Sequence, residues 1–202
     1  MEGAAADGQR SSRLTRELYT LLHDLVYILT AVTILFVFAV RLVGVDGDSM
    51  YPTLHNRDYL LLLSNVFYRN VEAGDIVVMN VPFYEDEPIV KRVIATEGQT
   101  VDIDFDAGVV YVDGVALEES YVASPTYLDY ADLGQGLDYP VTVPEGHIFV
   151  LGDNRNASAD SRFAPVGMVD ERDVLGKVLL VLLPGTDAVT GARDWGRIGG
   201  VA

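Results

Sequence analysis

A serine that closely follows an apolar run is the first residue of this sequence whose position suits chemistry. Ser49 lies in "GVDGDSMYPTLHNRD", residues 44–58, directly after "LVYILTAVTILFVFAVRLV". By default, a serine after glycine and aspartate is a turn or helix N-cap residue. A serine hydroxyl becomes a nucleophile when a neighbouring base takes its proton. Ser49 is therefore a candidate nucleophile, provided that the fold supplies a base.

A lysine in an apolar strand is the best candidate for that base. Period-2 alternation in "IVKRVI", residues 89–94, places Lys91 and Arg92 on opposite faces, each between apolar neighbours. On an edge strand, both cations would reach water. In a central strand, one cation would need an anionic partner and the other would lose its proton, because desolvation lowers a lysine pKa. A neutral lysine is a general base for a serine hydroxyl.

A dense polar loop could complete such a site. Residues 152–162, "GDNRNASADSR", which we call the polar segment, contain two acids, two arginines and two serines. A solvated connector has a similar composition. The same side chains are also suited to pair with Arg92 and to orient Lys91 by hydrogen bonds.

Histidine and metal chemistry fit the sequence less well. His55 is the histidine nearest to Ser49, but no acid or second histidine is organised around it by spacing. There is no "HExxH" and no close cluster of carboxylates and histidines, so no metal site is predicted. The chain has no cysteine, which excludes disulfides and thiol nucleophiles.

An apolar segment near the N-terminus predicts a membrane anchor. Residues 25–40 carry no charge, and with their flanks they reach about 20 residues, enough to cross roughly 30 Å of hydrocarbon. We predict a cytoplasmic segment at 1–20 and a transmembrane anchor at 21–43. A cleaved signal peptide is disfavoured because Arg41 follows the apolar run, where small residues should define a cleavage site.

Charge is distributed unevenly along the chain. The formal net charge is -16, and residues 42–202 hold ten cations and twenty-six anions. Such a surface repels phosphate backbones, so nucleic acid is not a predicted partner. Three arginines precede the anchor, Arg10, Arg13 and Arg16. They predict a single-pass protein of the cell membrane with a cytoplasmic N-terminus and an extracytoplasmic domain, the lipid bilayer being a partner of the anchor.

Beyond the anchor, short apolar runs separated by turn residues predict a mainly β domain at 44–184. The runs are "DYLLLL", "DIVVM", "PIVKRVIA", "TVDI", "GVVYVDG", "YPVTV", "HIFVLG" and "VLGKVLLVLL". Asp113 and Gly114 predict a hairpin turn. Residues 120–136 are rich in turn formers and predict a long loop. The glycine-rich tail at 185–202 is expected to be loosely ordered.

Four stretches, in this order after the anchor, resemble the motifs of the type I signal peptidases, the membrane-bound proteases that remove signal peptides from exported proteins. They are "GDSMYPTL", "GDIVVM", "KRVIATEG" and "GDNRNASADSR". Any one match would be weak, whereas four in order form a specific pattern. A serine close to the anchor would suit such a substrate, since the end of a signal helix emerges at the same bilayer surface.

The resemblance implies an antiparallel β-sheet catalytic domain that cuts secretory preproteins after small residues, without a metal or organic cofactor. Ser49 would be the nucleophile, and Lys91 the general base in acylation and deacylation. Ser158 is similar to the family serine that hydrogen-bonds the lysine nitrogen. Four residues would support the site as ion pairs, Arg92 with Asp153 and Asp160 with Arg162. Four apolar residues would line shallow substrate pockets, namely Val45, Met50, Leu54 and Val90.

The sequence also departs from the family pattern. Gly47 stands where Gram-negative members have a serine whose hydroxyl completes the oxyanion hole, and Gram-positive members commonly have glycine there. Ala157 stands where asparagine is usual, and "ATEGQ" replaces a proline-glycine-aspartate turn. Eukaryotic relatives of the endoplasmic reticulum have histidine at the position of Lys91. These comparisons favour a bacterial, Gram-positive-like member.

Two other functions fit parts of the sequence. A self-cleaving repressor protease also uses a serine and a lysine on a β domain, but it would carry a helix-turn-helix DNA reader in place of the apolar span. A membrane-tethered β module could bind without catalysis and keep the four motifs as scaffold. Loss of preprotein cleavage on replacing Ser49 with alanine would separate an enzyme from such a module.

Overall fold

The computed structural model describes residues 2–84, 87–186 and 191–201. The chain divides into two compact units, residues 1–40 and residues 41–202. Each unit has its own architecture, the first helical and the second built of strands.

The first unit is one long helix, α1 (Glu2–Ile34), which continues as a π-helical turn at Leu35–Ala39. Residues 16–39 are long and apolar enough to cross a membrane, with a mean hydropathy of 2.1 and no part of that span buried. Three threonine hydroxyls in the span, those of Thr20, Thr30 and Thr33, donate to carbonyl oxygens four residues earlier, as hydrocarbon surroundings require. The predicted apolar helix is therefore present, although it ends at Ala39, whereas the predicted anchor runs to residue 43.

The second unit is built from short strands on two sheets. In chain order the strands are β1 (Val40–Gly44), β2 (Tyr59–Ser64), β3 (Ile76–Met79), β4 (Ile89–Thr96), β5 (Thr100–Asp104), β6 (Val109–Val112), β7 (Val115–Ala116), β8 (Val141–Thr142), β9 (His147–Leu151), β10 (Val169–Asp170), β11 (Val174–Leu183) and β12 (Gly199–Gly200). In the described part of the chain, the larger sheet has the order β1-β2-β11-β3-β4-β9-β10, with β12 beside β11. The smaller sheet has the order β7-β6-β5-β8.

The antiparallel pairing agrees with the predicted mainly β fold. Pairs from β2 onward are antiparallel. Strands β6 and β7 form the predicted hairpin, in which Asp113 and Gly114 have φ values of 51° and 78°. Two positive φ values match the turn type that twists with the strands of a two-residue hairpin, which explains the Asp-Gly signal.

Strand β4 is central rather than at an edge. It pairs with β3 on one side, Lys91 lying opposite Val77, and with β9 on the other, Arg92 lying opposite Leu151. Apolar clusters pack around it, so that Val93 and Ile94 are almost fully buried. The central position excludes a strand whose cations simply extend into water.

The C-terminal tail is more ordered than its composition suggested. β12 pairs with β11 at Leu180 and Val181, and Arg197 forms an ion pair with Asp58. The expectation of a loosely ordered tail is therefore wrong for residues 191–201. A sheet ladder and a buried ion pair tie this segment down, which glycine content alone does not reveal.

The loop at 120–136 packs against the polar segment. Arg162 donates a hydrogen bond to the carbonyl oxygen of Leu128 at 3.1 Å. The Tyr130 hydroxyl donates to the carbonyl oxygen of Ser158 at 2.9 Å. The loop therefore covers residues that support the candidate site.

Candidate active site

Ser49 lies on the loop between β1 and β2, residues 45–58, which we call the serine loop. The loop is closed at its base, since Val45 N–H donates to Asp58 O and Arg57 N–H donates to Val45 O, both at 2.8 Å. Gly47 has φ of 96°, a conformation that glycine adopts without strain. The backbone therefore favours glycine at the position where Gram-negative members carry serine.

The side chains of Ser49 and Lys91 meet. Lys91 Nζ lies 2.7 Å from Ser49 Oγ and 3.0 Å from the carbonyl oxygen of Val90. Lys91 is only 3% exposed. The fold thus brings together two residues 42 positions apart that the sequence analysis had paired.

Burial sets the protonation of this lysine. Desolvation lowers the pKa of Lys91 from 10.5 to about 8, although the nearby carboxylates of Asp160 and Asp153 act in the opposite direction. A group with a pKa near 8 is a usable base close to neutral pH, whereas an ordinary lysine is almost fully protonated there.

Arg92, on the opposite face of β4, has the anionic partner expected of it. Its Nε and Nη2 donate to the two carboxylate oxygens of Asp153 at 2.9 and 2.8 Å. Both side chains are buried, and the guanidinium lies 3.9 Å from the centre of the Tyr121 ring. The Thr53 hydroxyl donates to the same carboxylate at 2.5 Å, which links Asp153 to the serine loop.

The second expected ion pair is also formed. Arg162 donates to both carboxylate oxygens of Asp160, Nε at 2.9 Å and Nη2 at 3.0 Å. Asp160 also accepts a hydrogen bond from Gly152 N–H at 3.0 Å. The ion pair is fully buried, and the hydrogen bond from Gly152 N–H to Asp160 joins the two ends of the polar segment.

The serine loop and the polar segment approach each other so closely at position 152 that glycine is required there. A Cβ there would collide with the carbonyl oxygen of Ser49 and with the side chain of Ser158. Next to it, Asn154 N–H donates to Ser49 O at 3.0 Å, and the Asn154 side-chain amide donates to Asp48 O at 3.1 Å. Asn154 thus holds the peptide groups on both sides of the nucleophile, a role that the sequence analysis missed.

Ser158 departs from its expected contact. Its hydroxyl is buried and has no hydrogen-bond partner among the described residues, so the expected bond to Lys91 is not formed in this structure. The hydroxyl points instead toward Gly152, against which it packs. Lys91 Nζ already contacts the Ser49 hydroxyl and the Val90 carbonyl.

A cleft of about 560 Å³ opens beside Ser49 and Lys91. Three of the four predicted pocket residues line it, Val45, Met50 and Val90. Leu54 does not; it is fully buried in the core behind them, and its N–H donates to Met50 O. Ala157 and Ala159 of the polar segment also line the cleft, which the sequence analysis did not foresee.

One backbone N–H group at the nucleophile is free to bind an oxyanion. The N–H group of Ser49 makes no hydrogen bond within the described part of the chain.

The ring of His55 packs against Tyr51, with ring centres 5.2 Å apart. Across residues 2–84, 87–186 and 191–201, no group of three or more acidic or histidine residues is placed to hold a metal ion.

A sequence model described as signal peptidase, peptidase S26, matches residues 18–183. The chain belongs to the signal peptidase family. Signal peptidase I S of Bacillus subtilis (strain 168) is 38% identical over 156 residues, which cover 74% of this chain and 79% of that protein. Signal peptidase I of Bacillus amyloliquefaciens is 39% identical over 144 residues, with 69% and 72% covered. A signal peptidase I crystal structure from Enterococcus faecalis is 31% identical, with a TM-score of 0.41, 54% of this chain and 97% of that chain being covered.

The expected identity as a bacterial type I signal peptidase is confirmed by these matches. The chain is a membrane-anchored serine endopeptidase that removes signal peptides from preproteins. Membership in this family excludes both alternative functions, the self-cleaving repressor protease and the module without catalysis.

Proposed function

We propose that this signal peptidase cuts preproteins with a dyad of Ser49 as nucleophile and neutral Lys91 as general base. The contact of 2.7 Å between Lys91 Nζ and Ser49 Oγ, inside a buried environment, carries the proposal. In acylation, Ser49 Oγ attacks the scissile carbonyl carbon while Lys91 Nζ takes the hydroxyl proton. Lys91 then gives that proton to the leaving amine, which departs as the new N-terminus of the mature protein.

Deacylation reverses the roles with water in place of the amine. Lys91 Nζ takes a proton from water, whose oxygen attacks the acyl-enzyme carbonyl, and Ser49 recovers the proton as it leaves. The N–H of Ser49 is available to bind the oxyanion, because no acceptor occupies it in the described residues. Such a donor is worth ~10²- to 10³-fold in rate.

On the family resemblance, we propose that Ser158 orients Lys91 by a hydrogen bond, although the two are not bonded in this structure. Its buried hydroxyl has no partner among the described residues, so a rotation about its own Cα–Cβ bond releases no existing hydrogen bond. The ion pairs Arg92–Asp153 and Asp160–Arg162 support the site by fixing the strand and the polar segment that meet there.

The cleft favours small substrate side chains. Val45, Met50 and Val90 line it, and Met50 is itself almost fully buried, so its side chain has little room to move. Larger substrate residues would have to displace these packed groups, which costs free energy in a dense core. This packing supports the proposal that cleavage occurs after small residues.

Replacement of the dyad tests the mechanism. Ser49→Ala and Lys91→Ala should each lower preprotein cleavage by ~10³-fold or more, because the two residues act as a unit. His55→Ala and His147→Ala are the matched controls and should keep most of the activity. Loss of activity in both histidine variants, with Lys91→Ala still active, would overturn the dyad.

The proposed topology has a cytoplasmic N-terminus and an extracytoplasmic catalytic domain, because arginines precede the span. The chain has no cysteine, so single cysteines can be introduced without background labelling. In intact cells, a membrane-impermeant maleimide should label Ser120→Cys, at an exposed position, and should spare Ser12→Cys. The reverse pattern would place the catalytic domain in the cytoplasm.

A further inference from the structure

An arginine of the C-terminal tail pairs with a buried carboxylate of the serine loop. Arg197 Nη2 lies 2.6 Å from Asp58 Oδ2, and Nη1 lies 3.0 Å from Oδ1. Asp58 is fully buried, and Arg197 is mostly covered. Arg197 also donates to the carbonyl oxygen of Thr53 at 3.3 Å. The tail therefore contacts the serine loop at two points.

Asp58 organises the second half of that loop. Its carboxylate accepts hydrogen bonds from His55 N–H at 2.8 Å and from Gly185 N–H at 2.7 Å. Burial raises the pKa of Asp58, but Arg197 and these backbone donors together outweigh burial and lower the pKa below its ordinary value. Without Arg197, a buried charge would lose its only cationic partner in the described chain, which is strongly unfavourable.

Thr53 connects the same part of the loop to the lysine strand. Its carbonyl oxygen accepts from Arg197, and its hydroxyl donates to Asp153, the ion-pair partner of Arg92. Arg92 is the chain neighbour of Lys91. The tail, the serine loop and strand β4 are thus joined by contiguous polar contacts.

Around Arg197, polar contacts rather than apolar burial hold the tail, whereas Val201 near its end packs against the core. Trp195 and Ile198, on either side of Arg197, are 60% and 49% exposed. The pairing of β12 with β11 fixes the backbone beyond them. The family model matches residues 18–183, so Arg197 lies beyond the matched residues while Asp58 and Thr53 lie within them.

We propose that the C-terminal tail is a positioning element of the active site, in which Arg197 holds the serine loop in its reactive conformation through Asp58 and Thr53. The proposal rests on the assignment of Ser49 as nucleophile. Arg197 acts at a distance from the reacting atoms, so it is a positioning residue. Small misplacements of a nucleophile cost large factors in rate, up to ~10²-fold for about 1 Å.

The test compares variants of the full-length enzyme in detergent, with a preprotein as substrate. Arg197→Ala should lower kcat about 10-fold, in keeping with a slightly misplaced nucleophile. Arg197→Lys should recover part of that loss, because it restores a cation without the two-pronged contact. Arg193→Ala is the matched control, since Arg193 lies on the same tail but stacks over Trp195. It should keep kcat within about twofold, as surface substitutions usually do.

Two measurements separate positioning from folding. The folded fraction of each variant is measured by near-ultraviolet circular dichroism at the assay temperature. Guanidinium ion at low millimolar concentration should restore part of kcat in Arg197→Ala and nothing in Arg193→Ala. Wild-type kcat in Arg197→Ala, or a loss that only follows the folded fraction without rescue, would overturn the proposal. Ser49→Ala is assayed in parallel; if it remains active, the nucleophile assignment fails, whatever Arg197→Ala shows.

Discussion

Replacing Lys91 with methionine should abolish cleavage and yet stabilise the folded protein near neutral pH. Methionine has a similar volume and removes the titrating group. The pKa of Lys91 falls from 10.5 to about 8 on folding, mainly through burial. Each pKa unit corresponds to about 1.4 kcal/mol, so the protonated lysine costs the native state about 3 kcal/mol.

Part of that gain is offset by lost hydrogen bonds. Methionine cannot donate to Ser49 Oγ or to the carbonyl oxygen of Val90, and each such bond contributes about 1 kcal/mol. The net advantage of Lys91→Met at pH 7 is therefore about 1 kcal/mol. It should be constant below about pH 7, because the lysine is then protonated in both the folded and the unfolded state.

The advantage must disappear as the pH rises. Between the folded pKa of about 8 and the unfolded value near 10.5, the unfolded wild-type chain binds more protons than the native state. Wild-type stability therefore increases with pH across this window relative to Lys91→Met, by about 3 kcal/mol in total. Above pH 10 the order of stability should be reversed, because only the lost hydrogen bonds remain.

Paired denaturant melts of wild type and Lys91→Met at pH 7, 8, 9 and 10 measure this difference. Ser158→Ala serves as a control that changes the same buried region without removing a titrating group. If Lys91→Met is clearly less stable at pH 7, by an amount that does not vary with pH, Lys91 is a charged structural residue. The proposed base would then be wrong.

Two further outcomes follow from the site and the anchor. The pH profile of kcat/KM should rise with pH through an apparent pKa near 8, the value for Lys91 in the folded protein, and a profile flat between pH 6 and 9 would contradict a lysine base. Deletion of residues 1–40 should leave a folded domain that cuts a soluble peptide but processes membrane-inserted preproteins poorly, because the anchor raises the effective concentration of enzyme at the membrane. Equal rates on the inserted substrate, with and without residues 1–40, would contradict that explanation.

The sequence predicted those site residues whose local pattern already indicates how they must be paired once they are buried. Two adjacent cations in an apolar run require special partners if their strand is central, and the structure places β4 between β3 and β9. The polar segment was expected to supply a partner for Arg92, and Asp153 does so. The hairpin at Asp113–Gly114 was predictable for the same kind of reason, since few residue pairs accept two positive φ values.

Some other contacts between distant polar side chains were not predictable. Glu119 pairs with Arg155, whose side chain is fully buried, but neither residue shows this in its own neighbourhood of the sequence. Leu54 follows the nucleophile closely, but its side chain is buried in the core and does not line the cleft. Whether an apolar residue lines a cleft or lies behind its wall depends on the path of the loop.

Lys91 and Arg92 show how one strand can place neighbouring cations in different polar surroundings. Alternation along β4 directs Arg92 to Asp153, which meets it with two hydrogen bonds, while Lys91 meets a hydroxyl and a carbonyl. Neither of these neutral oxygens supplies a negative charge to offset burial. Exchanging the two residues would bury an arginine, which cannot lose its proton, against the nucleophile. Because lysine precedes arginine, this strand carries a base on one face and, on the other, a cation that binds the polar segment.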